Sequence, residues 1–387
     1  MNGTTRARPA PASAGQQPII EMQQVVKTFV NAAGEFTALR GIDLSINEGE
    51  FVAVIGKSGS GKSTLLNMLT GIDHPTTGKV IVAGTDVYAM SESKRSLWRG
   101  RTLGIVFQFF QLLPMLNLLE NVMLPMDYVG MYEIDERPKK AMELLRMVGL
   151  EEHAQKLPRA VSTGQQQSAA IARALSTDAP IIVADEPTGN LDSRSANHII
   201  DLFDHLSARG KTIVMVTHDP SMTKRTSRTV VISDGTLVNE TIAQALPLLS
   251  QPLMKALNDR VTKETYRPNE TILRRKVPVD KFFLIAKGSV EIVLEGKRKE
   301  DLVISRLERN DFFGEIELLR GGKSIASVRA AAESPVELLV LSREDFNWLM
   351  NESPLTAKAI GNIVQKRLAE NKQAEKRKSI AFFKRKK

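Results

Sequence analysis

The order of hydrophobic and polar positions divides the chain into two regions of different rhythm. Over residues 19–246, short apolar runs alternate with stretches of helical spacing, as in an α/β domain with parallel strands. Phe51-Val52-Ala53-Val54-Ile55 reads as a buried strand. Residues 181–184 and 212–216 are apolar and rich in β-branched side chains, as expected of central parallel strands buried on both faces. Residues 104–107 predict a further strand, and 19–26 and 44–46 are expected as edge strands ahead of Phe51. Val230-Val231-Ile232 and the Asp234-Gly235 turn predict a closing hairpin. A helical bridge is expected over 247–262. Beyond it, short strands recur at 271–273, 282–286, 290–294, 302–304, 325–329 and 336–341, punctuated by Gly288, Gly296 and Gly321-Gly322. That rhythm predicts a small antiparallel barrel. Residues 354–372 return to helical spacing and lead into a basic tail. The expected organisation is a disordered tail (1–18), an α/β domain (19–246), a barrel with its leading helix (247–363), and a C-terminal helix and tail (364–387).

Composition narrows the partners. The 387 residues carry a net charge of +9, which favours acidic ligands: nucleotides, anionic headgroups or nucleic acid. Neither a zinc-finger nor an RNA-binding signature accompanies that charge, so nucleic acid is not an expected partner. The absence of cysteine excludes disulfides and thiolate metal sites and fits a cytosolic protein. The sequence has no apolar run long enough to span a bilayer, and residues 1–18 lack the apolar core of a secretory signal.

The chemistry begins at Gly56-Lys57-Ser58-Gly59-Ser60-Gly61-Lys62-Ser63-Thr64. This Gly-rich loop follows a predicted strand and precedes the helical pattern Leu65-Leu66-Asn67-Met68-Leu69, the context of a phosphate-binding P-loop. Its glycines let successive N–H groups converge on phosphate oxygens, and the helix N-terminus adds partial positive charge. Lys62 reaches the β- and γ-phosphates, and the Ser63 hydroxyl completes a Mg²⁺ shell. Asp185-Glu186 ends the 181–184 strand, at the edge where open α/β sheets hold ligands. There Asp185 would hold Mg²⁺ and Glu186 would polarise the water that attacks the γ-phosphate. A strand ending in two carboxylates could equally cap a turn, so the weight comes from its pairing with the P-loop. His218, after the 212–216 strand, is placed to hydrogen-bond the γ-phosphate. His74, His153, His198 and His205 read as solvated side chains without metal-ligand spacing.

These motifs, in this order with Val161-Ser162-Thr163-Gly164-Gln165-Gln166-Gln167, resemble the ATP-binding cassette (ABC) family over residues 19–246. The stretch from Asp185-Glu186-Pro187-Thr188-Gly189 to Asp192, and Gly104-Ile105-Val106-Phe107-Gln108, look most like ATPases of macrolide-exporter, lipoprotein-release and cell-division systems. The resemblance implies an α/β P-loop NTPase with ATP and Mg²⁺ as cofactors. It implies that Phe29 stacks on adenine, that Gln108 touches Mg²⁺ and signals to a membrane partner, and that Asp192 crosses a dimer interface. It further implies that two cassettes sandwich two ATP molecules, each site joining one subunit's P-loop to the other's Ser162, Gly164 and Gln165. The region after Gln108 carries Phe109-Phe110-Gln111-Leu112-Leu113-Pro114 and an apolar stretch over 116–124, which could be ordinary core; the resemblance implies that it receives a separate transmembrane permease, with Met123, Met126 and Met131 as an adaptable contact surface. Such a protein is cytoplasmic and peripheral on the inner face of the membrane.

One departure stands out. The family signature is Leu-Ser-Gly-Gly-Gln, and here Thr163 replaces the first glycine, at the start of a helix expected over 165–175. Glycine permits close backbone approach, and a β-branched residue adds bulk. Ser168 also stands where an arginine usually follows. Two readings stay open: slow hydrolysis by a homodimer, or a site completed only by a different cassette.

The second region, through Phe312-Phe313-Gly314-Glu315-Ile316-Glu317, Gly288 and Ser327-Val328-Arg329-Ala330, resembles the cyclic-nucleotide-binding domain over about 255–363. The resemblance implies that Glu315 meets a ribose hydroxyl. Ser324 occupies the place of the phosphate-binding arginine, with Lys323 before it. Loss of a charge-assisted hydrogen bond weakens binding about 10- to 100-fold. The expectation is therefore weak or no cyclic nucleotide binding and a barrel kept for docking or dimerisation. The tail, with Phe382-Phe383 among lysines and arginines, reads either as a hold on anionic membrane or as a solvated tail. The leading reading is an ATPase subunit that dimerises on ATP and drives a permease. The alternatives are an ATP-switched signalling module and a soluble ABC protein acting on nucleic acid or ribosomes.

Overall fold

A computed structural model describes residues 18–32, 34–189, 191–217, 225–294 and 302–384, with side chains to 369 apart from Leu302. The chain forms two compact units, Met1–Leu237 and Val238–Lys387.

The first unit is built on a six-stranded sheet. Its order is Thr236–Val238, Arg228–Ser233, Phe51–Ile55, Thr212–Thr217, Ile181–Asp185, Leu103–Val106. The strands from Arg228–Ser233 to Leu103–Val106 run parallel. Alternate residues of each central strand enter different cores, as expected of a sheet covered on both faces. Val52, Val54, Ile181, Val183, Val214 and Val216 pack with the P-loop helix residues Leu65, Met68 and Leu69. Phe51, Ile182, Ala184, Ile213 and Met215 pack with Val122, Met126, Ile171 and Phe203 from helices on the other side.

Residues 19–26 and 44–46 do not form edge strands of this sheet. Ile20–Asn31 and Gly34–Ile46 make a long antiparallel hairpin in a separate four-stranded sheet, where Ile20–Asn31 also pairs with Thr77–Val82. That third strand has a polar, exposed first half, which hides it in the hydrophobic pattern.

In the second unit the strands form two four-stranded antiparallel sheets, an open barrel and not one closed ring. One has the order Thr262–Tyr266, Val336–Ser342, Lys281–Lys287, Phe312–Phe313, and the other Thr271–Leu273, Ser327–Ala330, Val290–Leu294, Leu302–Leu307. Phe283, Ile285, Val290, Phe313, Val328, Leu338 and Val340 fill the space between them. The expected bridge over 247–262 is shorter. Helices span Glu240–Ala245 and Gln251–Asn258, and Thr262 already belongs to a strand that Val336–Ser342 pairs. The last helix, Pro354–Lys384, runs well past residue 372. Among the described residues, no helix is long and apolar enough to cross a membrane.

Candidate nucleotide site

The parallel register sets the site. Ile55 lies opposite Thr217, Asp185 opposite Val216, and Val106 opposite Ala184, so the segments that follow these strands emerge at one edge of the sheet. The loop Gly56–Ser60 leaves the first strand there and Lys62–Thr70 forms the helix behind it. Gly59 and Gly61 have φ of 77° and 104°, the left-handed region that favours glycine. Gly56 is small for another reason: a Cβ there would come within 2.5 Å of the Ile232 carbonyl oxygen. The Lys62 ammonium donates to the carbonyls of Gly56 and Lys57, each at 2.9 Å, holding the loop in a curl. The Ser60 hydroxyl is buried in this loop without a protein hydrogen-bond partner. A buried orphan hydroxyl beside a lysine and a helix N-terminus suits a phosphate. Ser58 and Gly59 are exposed, and Thr64 is half-buried in the first helical turn.

The polar groups of three segments converge on this loop. The Ser63 hydroxyl hydrogen-bonds the Asp185 carboxyl, which burial pushes above its ordinary value while Ser63 and Lys62 pull it back and Glu186 pushes it further up. The Gln108 amide donates to Glu186 Oε2 at 3.2 Å. Glu186 sits at φ 47°, a conformation that costs a non-glycine residue energy and is concentrated at functional sites. Its N–H donates to the Val216 carbonyl at 2.9 Å, which fixes the turn after Asp185. A hydroxyl, two carboxylates and an amide are the hard oxygen donors that Mg²⁺ takes.

The other residues singled out in the sequence lie elsewhere or make local contacts. Phe29 is on the antiparallel hairpin, 39% exposed, with the Lys27 ammonium 4.8 Å from its ring centroid. His218 lies outside the described residues. Ser162 caps the helix Thr163–Ala174 in a reciprocal capping box: its hydroxyl accepts from Gln165 N–H at 3.2 Å, and Gln165 Oε1 accepts from Ser162 N–H at 2.9 Å. The helix thus begins at Thr163, not at Gln165, and Gly164 lies in its first turn. Thr163 is exposed and takes ordinary helical geometry, so its bulk bears only on what approaches from outside. Ser168 is buried on the same helix. Asp192 caps the helix Ser193–Ala208, accepting from Arg194 N–H at 2.9 Å and Ser195 N–H at 3.0 Å, and the Ser195 hydroxyl holds its carboxyl below the ordinary value.

Two expectations need correction. Met126 is fully buried and Met123 and Met131 pack against its core, because Leu118, Val122, Met126 and Val129 form the inward stripe of the helix Leu118–Val129. Exposed apolar side chains on and before this helix include Phe109, Leu113, Met115, Leu124 and Tyr128. His153 is not simply solvated, since its Nδ1 is buried without a partner; His74, His198 and His205 are exposed.

Arg173 was invisible to motif reading. From the last turn of the Thr163–Ala174 helix its guanidinium donates to the carbonyls of Gln111 at 2.6 Å and Phe110 at 2.8 Å. Gln111 has φ 50°, so the arginine braces a strained turn just after Gln108.

With this geometry in place, comparison with known proteins is specific. A family model described as ABC transporter matches residues 39–189, and one described as cyclic nucleotide-binding domain matches 263–353. An uncharacterized ABC transporter ATP-binding protein of Thermotoga maritima is 46% identical over 217 residues, which cover 56% of this chain and 92% of that protein. The macrolide export ATP-binding/permease protein MacB of Hyphomonas neptunium is 42% identical over 223 residues, 58% of this chain and 34% of that protein. MacB of Syntrophobacter fumaroxidans is 34% identical over 353 residues, 87% of this chain and 49% of that protein. The chain therefore spans a third to a half of the length of these MacB relatives. Among solved structures, the dimeric post-hydrolysis state of the ATP-binding cassette MJ0796 bound to ADP and Pi superposes with a TM-score of 0.55 at 40% identity, covering 56% of this chain and 96% of that one.

Proposed function

This chain belongs to the ABC transporter ATP-binding family, and we propose that it is an ATP-hydrolysing subunit that pairs with a second cassette and drives a separate transmembrane permease. The observation that carries the reading is the convergence of Ser63, Asp185, Glu186 and Gln108 on the Lys62 loop. Lys62 and the loop N–H groups bind the β- and γ-phosphates. Ser63, Asp185 and Gln108 hold Mg²⁺, which when bound neutralises charge on the phosphate oxygens. Glu186 orients a water and takes its proton as the water oxygen bonds to the γ-phosphorus. The bond from that phosphorus to the bridging oxygen breaks, leaving ADP and inorganic phosphate. Phe29 stacks on adenine, His218 contacts the γ-phosphate, and Ser162, Gly164 and Gln165 complete the site of the partner cassette, with Asp192 at the interface.

The exposed Phe109, Leu113, Met115 and Tyr128 support a contact with the permease, and on this reading the protein works at the inner face of a membrane. The second unit serves regulation or assembly and binds cyclic AMP or cyclic GMP weakly or not at all. The basic tail adds a contact with anionic lipid.

Phosphate release with Mg·ATP, followed across protein concentration with Glu186→Gln as the blank, tests this. A rate that rises steeply with concentration identifies a competent homodimer despite Thr163. A rate no higher than the blank refutes hydrolysis by the chain alone and makes the requirement a permease or an intact partner cassette.

A further inference from the structure

The second unit encloses a cavity of about 330 Å³ lined by Phe313, Glu315, Glu317, Ser324, Ile363 and Arg367, among others. Glu315 is 1% exposed on its floor. Burial pushes its carboxyl above the ordinary value, and a cation from the last helix partly offsets that cost. Arg367 Nη1 donates to Glu315 Oε1 at 2.7 Å and to the Phe312 carbonyl at 2.7 Å. The guanidinium carbon lies 5.1 Å from the centroid of the Phe312 ring. Carboxylate, carbonyl and aromatic face together form a receptor for a planar, delocalised cation. Ile363 and Arg367 stand four residues apart and share a helix face, so one face of the helix both lines the cavity and fills its charged end.

Lys366 brings a second cation to the lining, but the polar groups of the barrel itself do not favour an anion. The Ser324 hydroxyl donates to the Ala326 carbonyl at 2.6 Å, its N–H to Val277, and its carbonyl accepts from Lys276. Glu317 adds a second buried carboxylate, which accepts from Ile325 N–H at 3.2 Å. A cyclic phosphodiester would face Glu317, a Glu315 already engaged and a neutral serine at position 324, with Lys366 of the helix as the cation not bound to Glu315.

We propose that the Glu315 wall of this cavity is a guanidinium site occupied in cis: Arg367 is its ligand, and the contact holds the last helix on the barrel without a nucleotide. The inference deepens the reading of the second unit as a regulatory or assembly module and holds whether or not the first unit hydrolyses ATP.

Hydrogen–deuterium exchange on the full chain tests it. Arg367→Met keeps bulk and removes the guanidinium. Amides of residues 354–369 should then exchange about tenfold faster or more, the loss of a charged hydrogen bond, while the strand Lys281–Lys287 keeps its protection. Arg367→Lys should give an intermediate rate. Ethylguanidinium should raise the melting temperature of Arg367→Ala and leave the wild type unchanged. Wild-type exchange in Arg367→Met overturns the proposal, as does cyclic AMP that slows exchange around the cavity of the wild type. If Arg367→Met strips protection from the barrel as well, Arg367→Lys decides: release confined to the helix sustains the proposal, and loss of both overturns it. None of these readouts depends on ATP turnover.

Discussion

Two glutamates at the centres of the two units are held in opposite ways. Glu186 stands at φ 47°, half-buried, with a 3.2 Å bond from Gln108. Glu315 is 1% exposed and pairs with Arg367 at 2.7 Å. The first arrangement keeps backbone strain at the sheet edge where the phosphate loop also emerges. The second engages its carboxylate in a short charged bond and closes. Backbone strain is concentrated at sites that respond, and a tight buried ion pair marks one that holds.

The most severe way to sharpen the contrast is Asp185→Asn. Phosphate release should fall by at least about 10²-fold, the scale of losing a preorganised charged group at a reacting phosphate. The same change should raise the melting temperature. The sign follows from burial, which raises the folded carboxyl above its ordinary 3.8. Between the two values the folded chain binds more protons than the unfolded chain, so wild-type stability declines as pH rises through that window. Melting curves on both sides of the window should show the gain only on the upper side. A variant less stable at every pH would mean that Asp185 is a structural anchor.

Arg173→Ala comes next. Loss of its two bonds to Gln111 and Phe110 should lower kcat about 10- to 100-fold with little change in the KM for ATP, because the nucleotide contacts remain. Arg173→Lys should recover part, since a point charge lacks the fork that meets two carbonyls. An unchanged kcat would show that the turn at Gln111 holds without the brace.

The smallest effect is expected at Thr163. Thr163→Gly should speed hydrolysis by about threefold to tenfold, on the order of 1 kcal/mol of relieved crowding at a paired cassette. The capping box of Ser162 and Gln165 does not use the Thr163 side chain, so stability should move little. An unchanged rate would remove the degenerate signature as a brake.

Much of the nucleotide site was legible because its parts are contiguous. Gly56 to Thr64 carries loop, cation and hydroxyl in one stretch, and the apolar runs at Phe51–Ile55 and Ile181–Asp185 announce the buried strands before each motif. The strand Thr77–Val82 was not legible, since a half-exposed strand beside a hairpin has no unbroken apolar run. The methionines misled because a Met-rich segment reads alike whether it faces the core or solvent, and only the structure separates Met126, inward on the helix Leu118–Val129, from Met115, exposed in the turn before it.

By itself the sequence determined that two regions of different rhythm would fold, that a phosphate loop opens the first, and that the second lacks an arginine where its resemblance calls for one. Local spacing suffices for such statements, since strand, turn and helix periods are written in neighbouring residues. The tertiary structure alone decided that Ser63 meets Asp185, that Arg173 braces the turn after Gln108, and that Arg367 pairs with Glu315 on the wall of the cavity that Ser324 also lines. Those pairings join residues far apart along the chain. They depend on sheet register and helix phase, which place polar groups together only after the apolar cores have packed.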